Sequence, residues 1–86
     1  MKILFSTHAK EMMGKRGATQ KEIKETILKG EWHKAKKLDR FESSLEFPYQ
    51  KEWNGNFYQF KQVNPVFVKE DEMITVVTVY VFYLNR

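Results

Sequence analysis

Apolar positions change period once along this chain. Up to Gly30 they recur at helical spacing, and from Trp32 onward they alternate or run together as strand residues do. The segment Phe5-Ser6-Thr7-His8-Ala9-Lys10-Glu11-Met12-Met13-Gly14-Lys15-Arg16-Gly17 predicts a first helix over roughly Thr7 to Arg16. Ser6 or Thr7 supplies the N-cap, and Gly17 suits the left-handed position past the last turn. A second helix starts at Thr19, because Thr19-Gln20-Lys21-Glu22 is a capping box in which Glu22 reaches back to the Thr19 amide. Ile23, Ile27 and Leu28 form its apolar stripe, and Gly30 stops it. Helices this short are unstable alone and must pack on something larger.

That larger element is a sheet. Trp32 to Leu38 alternates weakly and reads as a first or edge strand, whose outward Lys34, Lys36 and Lys37 blunt edge pairing. Leu45, Phe47 and Tyr49 alternate over the next strand, which Pro48 confines to an edge or a strand end. Asn54-Gly55 is a strong hairpin signal, with Phe57 to Val63 returning as the partner strand and Asn64-Pro65 breaking it. Val66 to Lys69 is extended, and Glu70-Asp71-Glu72 makes a charged turn. Met73 to Tyr83 is rich in β-branched and aromatic residues, so it is expected in the sheet centre, buried on both faces. Strict alternation puts Thr75, Val77, Val79, Val81 and Tyr83 on one face and Ile74, Val76, Thr78, Tyr80 and Phe82 on the other. The expected fold is α+β, with two short N-terminal helices on one face of a twisted, mainly antiparallel sheet of four to five strands.

The 86 residues make one domain, 1–86, without linkers, repeats or low-complexity stretches. A chain of this size buries only about 60–65% of its unfolded surface, so its core is modest. No cysteine is present, which excludes disulfides and thiolate metal sites. Packing then rests on 7 Phe, 4 Tyr and 2 Trp. The 2 His lack a metal-binding spacing, so neither a structural metal nor a cofactor is expected. The net charge of +4 suits a polyanionic partner without demanding one. Ile3, Leu4 and Phe5 before Ser6 are too short an apolar run for a signal peptide, and Ile74 to Leu84 is about half a membrane span. A cytoplasmic protein without membrane contact is the default expectation.

The residue with most chemistry is His8, in the first turn of the first helix, where the helix dipole disfavours an imidazolium. A His, an Arg and a Lys are enough to cleave RNA by the internal 2′-OH route without a metal. The plain alternative is a surface histidine without chemistry. The hydroxyls of Thr78 and Tyr80 share a strand face and would line a site together, although such residues are also ordinary strand formers. Trp32, Trp53 and Tyr58 either stack splayed bases or pack the core and hairpin, and packing is expected for at least two of the three. His33, beside Lys34, reads as a surface strand residue.

Phe5-Ser6-x-His8-Ala9-x-x-Met12-Met13-x-x-Arg16-Gly17, the helix Glu22 to Leu28, an aromatic hairpin, and the ending Ile74-Thr75-Val76-Val77-Thr78-Val79-Tyr80 together resemble the domain of unknown function 4258 family over nearly the whole chain. That family is similar in expected fold to RelE/ParE-like toxins and to small metal-independent ribonucleases. The resemblance implies a toxin-type endoribonuclease with RNA as partner, tRNA or mRNA among the substrates, and a cognate antitoxin or immunity protein. It assigns acid/base work to His8, phosphate binding to Arg16, and the polar cleft residues to Thr78 and Tyr80. The chain departs from the pattern at Met12, where the family has an arginine, and Lys15 or Lys61 would have to replace that charge. With Trp53 and Tyr58, these lysines complete the expected RNA-binding set. The alternative is a non-catalytic RNA- or protein-binding module of the same fold.

Overall fold

The computed structural model describes residues 1–37 and 39–86. The chain is α+β, with two helices and a six-stranded, mostly antiparallel open sheet. Its elements are β1 (Lys2–Phe5), α1 (Thr7–Arg16), α2 (Gln20–Lys29), β2 (His33–Lys34), β3 (Phe41–Glu42), β4 (Leu45–Trp53), β5 (Asn56–Glu70) and β6 (Met73–Leu84). The strand order is β1-β6-β5-β3-β2, with β4 pairing on β5.

Local signals place both helices. Ser6 caps α1 by accepting the Ala9 amide at 3.0 Å, and Gly17 takes a left-handed φ of 82°. The capping box of α2 is closed in both directions between Thr19 and Glu22. Gly30 ends α2 in an extended conformation, φ −79°, so a left-handed requirement is not its reason for being glycine. Space is: a Cβ there would run into the Ser43 hydroxyl and lie 2.8 Å from the carbonyl oxygens of Ser44 and Thr26. Leu28, expected on the apolar stripe, is 67% exposed, and Thr26 takes the buried place beside Ile23 and Ile27. Thr26 is tolerated inside because its hydroxyl donates to the Glu22 carbonyl at 2.8 Å.

The sheet is larger than its sequence pattern suggests. β1 pairs in parallel with β6, Lys2 opposite Met73 through Phe5 opposite Val76. β2 covers only His33–Lys34 of the expected Trp32–Leu38 strand; Leu38 lies outside the described residues. β4 runs past Tyr49 to Trp53 through an irregularity between Pro48 and Lys51, where Gln50 has φ 54°. Asn54 (φ 51°) and Gly55 (φ 85°) form the tight turn into β5, as their identities predict.

β5 passes through Asn64-Pro65 without a break. The Pro65 carbonyl accepts the Ser43 amide at 3.2 Å, so the missing N–H of Pro65 faces the same side. There β3 and β4 keep one register on β5, Glu42 opposite Val66 and Leu45 opposite Val63, and the single ladder bond that Pro65 cannot donate falls in the gap between them.

β6 carries an extra residue at Val77: Val66 faces Thr78, while Phe67 faces Val76. The bulge reverses the alternation. Ile74 and Val76 therefore join Val79 in one buried cluster with Ala9, Ile23, Ile27, Val63 and Phe67, with Val81 packed against it. Burial on both faces does not occur. Tyr80 is 46% and Phe82 48% exposed on the alternate face.

The core is centred on Phe67, which is fully buried, with Trp32 edge-on at 5.0 Å and Phe41 stacked at 6.1 Å. The Trp32 indole donates to the Ile27 carbonyl at 2.8 Å, satisfying a group that the end of α2 leaves open.

Candidate nucleic-acid interface

Arg16, in the last turn of α1, lies across the edge of β6. Pairing with β1 stops at Phe5, which leaves carbonyls further along that edge without a strand partner. The Ser6 hydroxyl donates to the Val77 carbonyl at 3.2 Å, and Arg16 Nη1 donates to the Val79 carbonyl at 2.7 Å. The guanidinium then stacks 4.8 Å from the centre of the Tyr80 ring. One N–H is thus committed to the backbone, and the planar cation stays beside an exposed aromatic.

Tyr80 and Thr78 line a groove of about 470 Å³ with Phe82, Asn64, Val66, Lys36, Lys37 and Arg40, Glu42 being its one acidic lining residue. The Val77 bulge leaves Thr78, Tyr80 and Phe82 on the alternate face, opposite Val66, Asn64 and Gln62 of β5. Arg40 is half-buried, and its Nε–H has no acceptor among the described residues. A buried cationic donor without a partner is costly unless an anion meets it. Lys36, Lys37 and Arg40 in the groove, with Arg16 beside Tyr80, therefore give the exposed rings a positive surrounding.

The expected site residues are distributed unevenly around this groove. Arg16 stacks on Tyr80, and Thr78 lines the groove beside Tyr80. His8 is exposed in the first turn of α1, eight residues before Arg16 and hence about 12 Å away along the helix axis, and it is not part of the groove lining. Lys15 is exposed on the last turn of α1. Met12 packs against the core.

Lys61 must be taken out of the RNA-binding set. It is 5% exposed, its Nζ 2.9 Å from Glu22 Oε1 and 2.7 Å from the Gly17 carbonyl that accepts from it. The cation thereby neutralises the C-terminal end of α1 and pairs with the first turn of α2. Trp53 and Tyr58 are likewise spent on packing: Trp53 stacks on Tyr83 at 5.0 Å and 14°, and Tyr58 is tilted against it at 5.4 Å. The Tyr83 hydroxyl donates to the Arg16 carbonyl at 2.7 Å.

Burial, followed by the nearby Tyr49 and Glu22, raises the Tyr83 phenol to about 12 from its ordinary 10.0. An acid raised by folding adds stability that is complete below pH 10 and is lost as pH rises towards about 12. Unfolding midpoints are therefore expected to fall more steeply across that window in the wild type than in Tyr83→Phe. Equal slopes would show that the phenol is not linked to folding.

Sequence reading missed Lys36 and Lys37 as site residues, taking them as edge blunting, and passed over Arg40 and Asn64. The Lys36-Lys37 charge pair was visible, but only the register of β3 on β5 brings its loop to β6. Among the described residues, no three His, Cys, Asp or Glu side chains cluster to hold a metal, and no helix is long and apolar enough to cross a membrane. No family model, curated protein or solved structure matches the chain.

Proposed function

We propose that this chain engages single-stranded RNA along the groove over β5 and β6, as a toxin-type RNA domain. In this reading both helices cover one face of the sheet and the alternate face is the RNA platform. The observation that carries it is the coincidence of Arg16, Lys36, Lys37 and Arg40 with the exposed rings of Tyr80 and Phe82. Cations track the phosphates, and the rings stack splayed bases. An acidic antitoxin or immunity protein would compete for the same cations.

A second reading, metal-independent cleavage, is favoured by the stacking of Arg16 on Tyr80 beside Thr78. A base takes the proton of a ribose 2′-OH, and the oxygen attacks the adjacent phosphorus. The 5′-oxygen leaves with a proton from the Tyr80 phenol, giving a 2′,3′-cyclic phosphate and a 5′-OH end. Arg16 stabilises the phosphoryl charge. The base must reach the same phosphate as Arg16 and Tyr80, and His8 lies about 12 Å from Arg16 along α1 and outside the groove lining.

Incubating the purified protein with single-stranded RNA in excess chelator separates the two readings. Binding without new ends identifies a binder. Cyclic-phosphate ends identify the nuclease, and a fall of about 10²- to 10⁴-fold in their rate in Tyr80→Phe assigns the general acid to that phenol. The absence of any complex removes both.

A further inference from the structure

Asn64 lies directly opposite Tyr80 in the β5–β6 ladder and lines the groove beside it. Directly opposed strand residues bring their Cβ atoms to about 4.5–5.5 Å. A base resting on the exposed rings of Tyr80 and Phe82 therefore presents its edge to the Asn64 amide. That amide is oriented. The Ser44 hydroxyl donates to Asn64 Oδ1 at 2.9 Å, which turns the oxygen towards Ser44, and the NH₂ end makes no hydrogen bond among the described residues. Ser44 is itself held by its neighbour: the Ser43 amide donates to the Pro65 carbonyl at 3.2 Å, and the buried Ser43 hydroxyl to the Thr26 carbonyl at 3.1 Å.

We infer that Asn64 selects bases offering a carbonyl oxygen at the edge facing it, and hence uracil over cytosine, with Ser44 as the positioning residue. This rests on the RNA reading above. The two pyrimidines are nearly equal in size and stacking surface. They differ at position 4, where uracil carries an oxygen acceptor and cytosine an amino donor. A fixed NH₂ group facing position 4 pairs with the first and opposes the second, and the inference therefore places position 4 of the base at the Asn64 amide.

The test compares labelled oligouridine and oligocytidine of equal length by fluorescence anisotropy. The wild type should bind oligouridine about fivefold to tenfold more tightly, the worth of one net hydrogen bond. Asn64→Asp presents an acceptor in place of the donor and should bring the ratio to unity or reverse it. Ser44→Ala frees the amide to rotate and should reduce the preference to under about twofold while keeping affinity for oligouridine within about threefold. The ratio is read within each preparation, so a partly unfolded variant does not distort it. Equal affinities in the wild type, or an unchanged preference in Asn64→Asp, overturn the inference and leave RNA binding standing. Failure of both oligonucleotides to bind overturns this inference together with the reading on which it rests.

Discussion

Gly17→Ala is expected to destabilise the fold by about 3 kcal/mol, combining a left-handed backbone penalty with a steric one. The residue sits at φ 82°, and a Cβ built there would collide with the Tyr83 hydroxyl and lie 2.9 Å from the Trp53 ring. Relief would require separating Tyr83 from the Arg16 carbonyl or unstacking it from Trp53. The Gly17 carbonyl also accepts from Lys61, so its displacement disturbs the Lys61–Glu22 pair. For a domain of this size the melting midpoint should drop by more than about 10 °C. Gly14→Ala is the control. Nothing lies within 4 Å of its Cβ position, and in mid-helix the added methyl should stabilise by roughly 0.5–1 kcal/mol. A Gly17→Ala midpoint within about 2 °C of wild type would show that the turn between the helices does not lock onto the sheet as described.

The second large effect concerns affinity. Replacing Lys36, Lys37 and Arg40 together by alanine should weaken single-stranded RNA binding by about 10- to 100-fold at moderate salt. The dependence of log affinity on log salt should become shallower by about 2, because each lost phosphate contact on a single strand contributes roughly 0.7. The matched control removes the same charge from Lys21, Lys24 and Lys29 on α2, where Leu28 is exposed and no aromatic platform adjoins. If the groove binds RNA, that control costs less than about threefold. Equal losses in the two triple variants would mean that diffuse charge, rather than the groove, holds the RNA.

Much of this architecture is written locally. Ser6, Gly17, Thr19 and Glu22 announce both helices because capping depends on residues a few positions away. Asn54-Gly55 announces its hairpin for the same reason. What escaped reading is set across the sequence. Lys2–Phe5 becomes a strand only through parallel pairing with Met73–Val76. Pro65 looks like a strand breaker, yet β5 runs through it, because its carbonyl still accepts from Ser43 in the gap between β3 and β4 and only one ladder bond is forgone. The bulge at Val77 carries no turn residue, yet it decides which of Ile74, Val76, Thr78 and Tyr80 are buried. Lys61 looks like a surface cation because its three partners, Glu22, Gly17 and Tyr49, lie on other segments.

The same contrast holds for the site. Arg16, Thr78 and Tyr80 were legible as residue types; Arg16 stacks on Tyr80, and Thr78 shares the groove with it. The cations that complete the groove come from the segment between β2 and β3, which reaches β6 only through the pairing of β3 with β5. Met12 illustrates the converse. Its apolar side chain packs against the core, while the cations of the groove come from the segment between β2 and β3.

The most direct measurement is a backbone and side-chain NMR titration of the protein with short single-stranded RNA. Shift changes should concentrate at Lys36, Lys37, Arg40, Asn64, Thr78, Tyr80 and Phe82, with the Arg16 side chain included. Changes confined to the Lys21–Lys29 face of α2, or a spectrum that RNA leaves unaltered, would contradict the assignment of this groove.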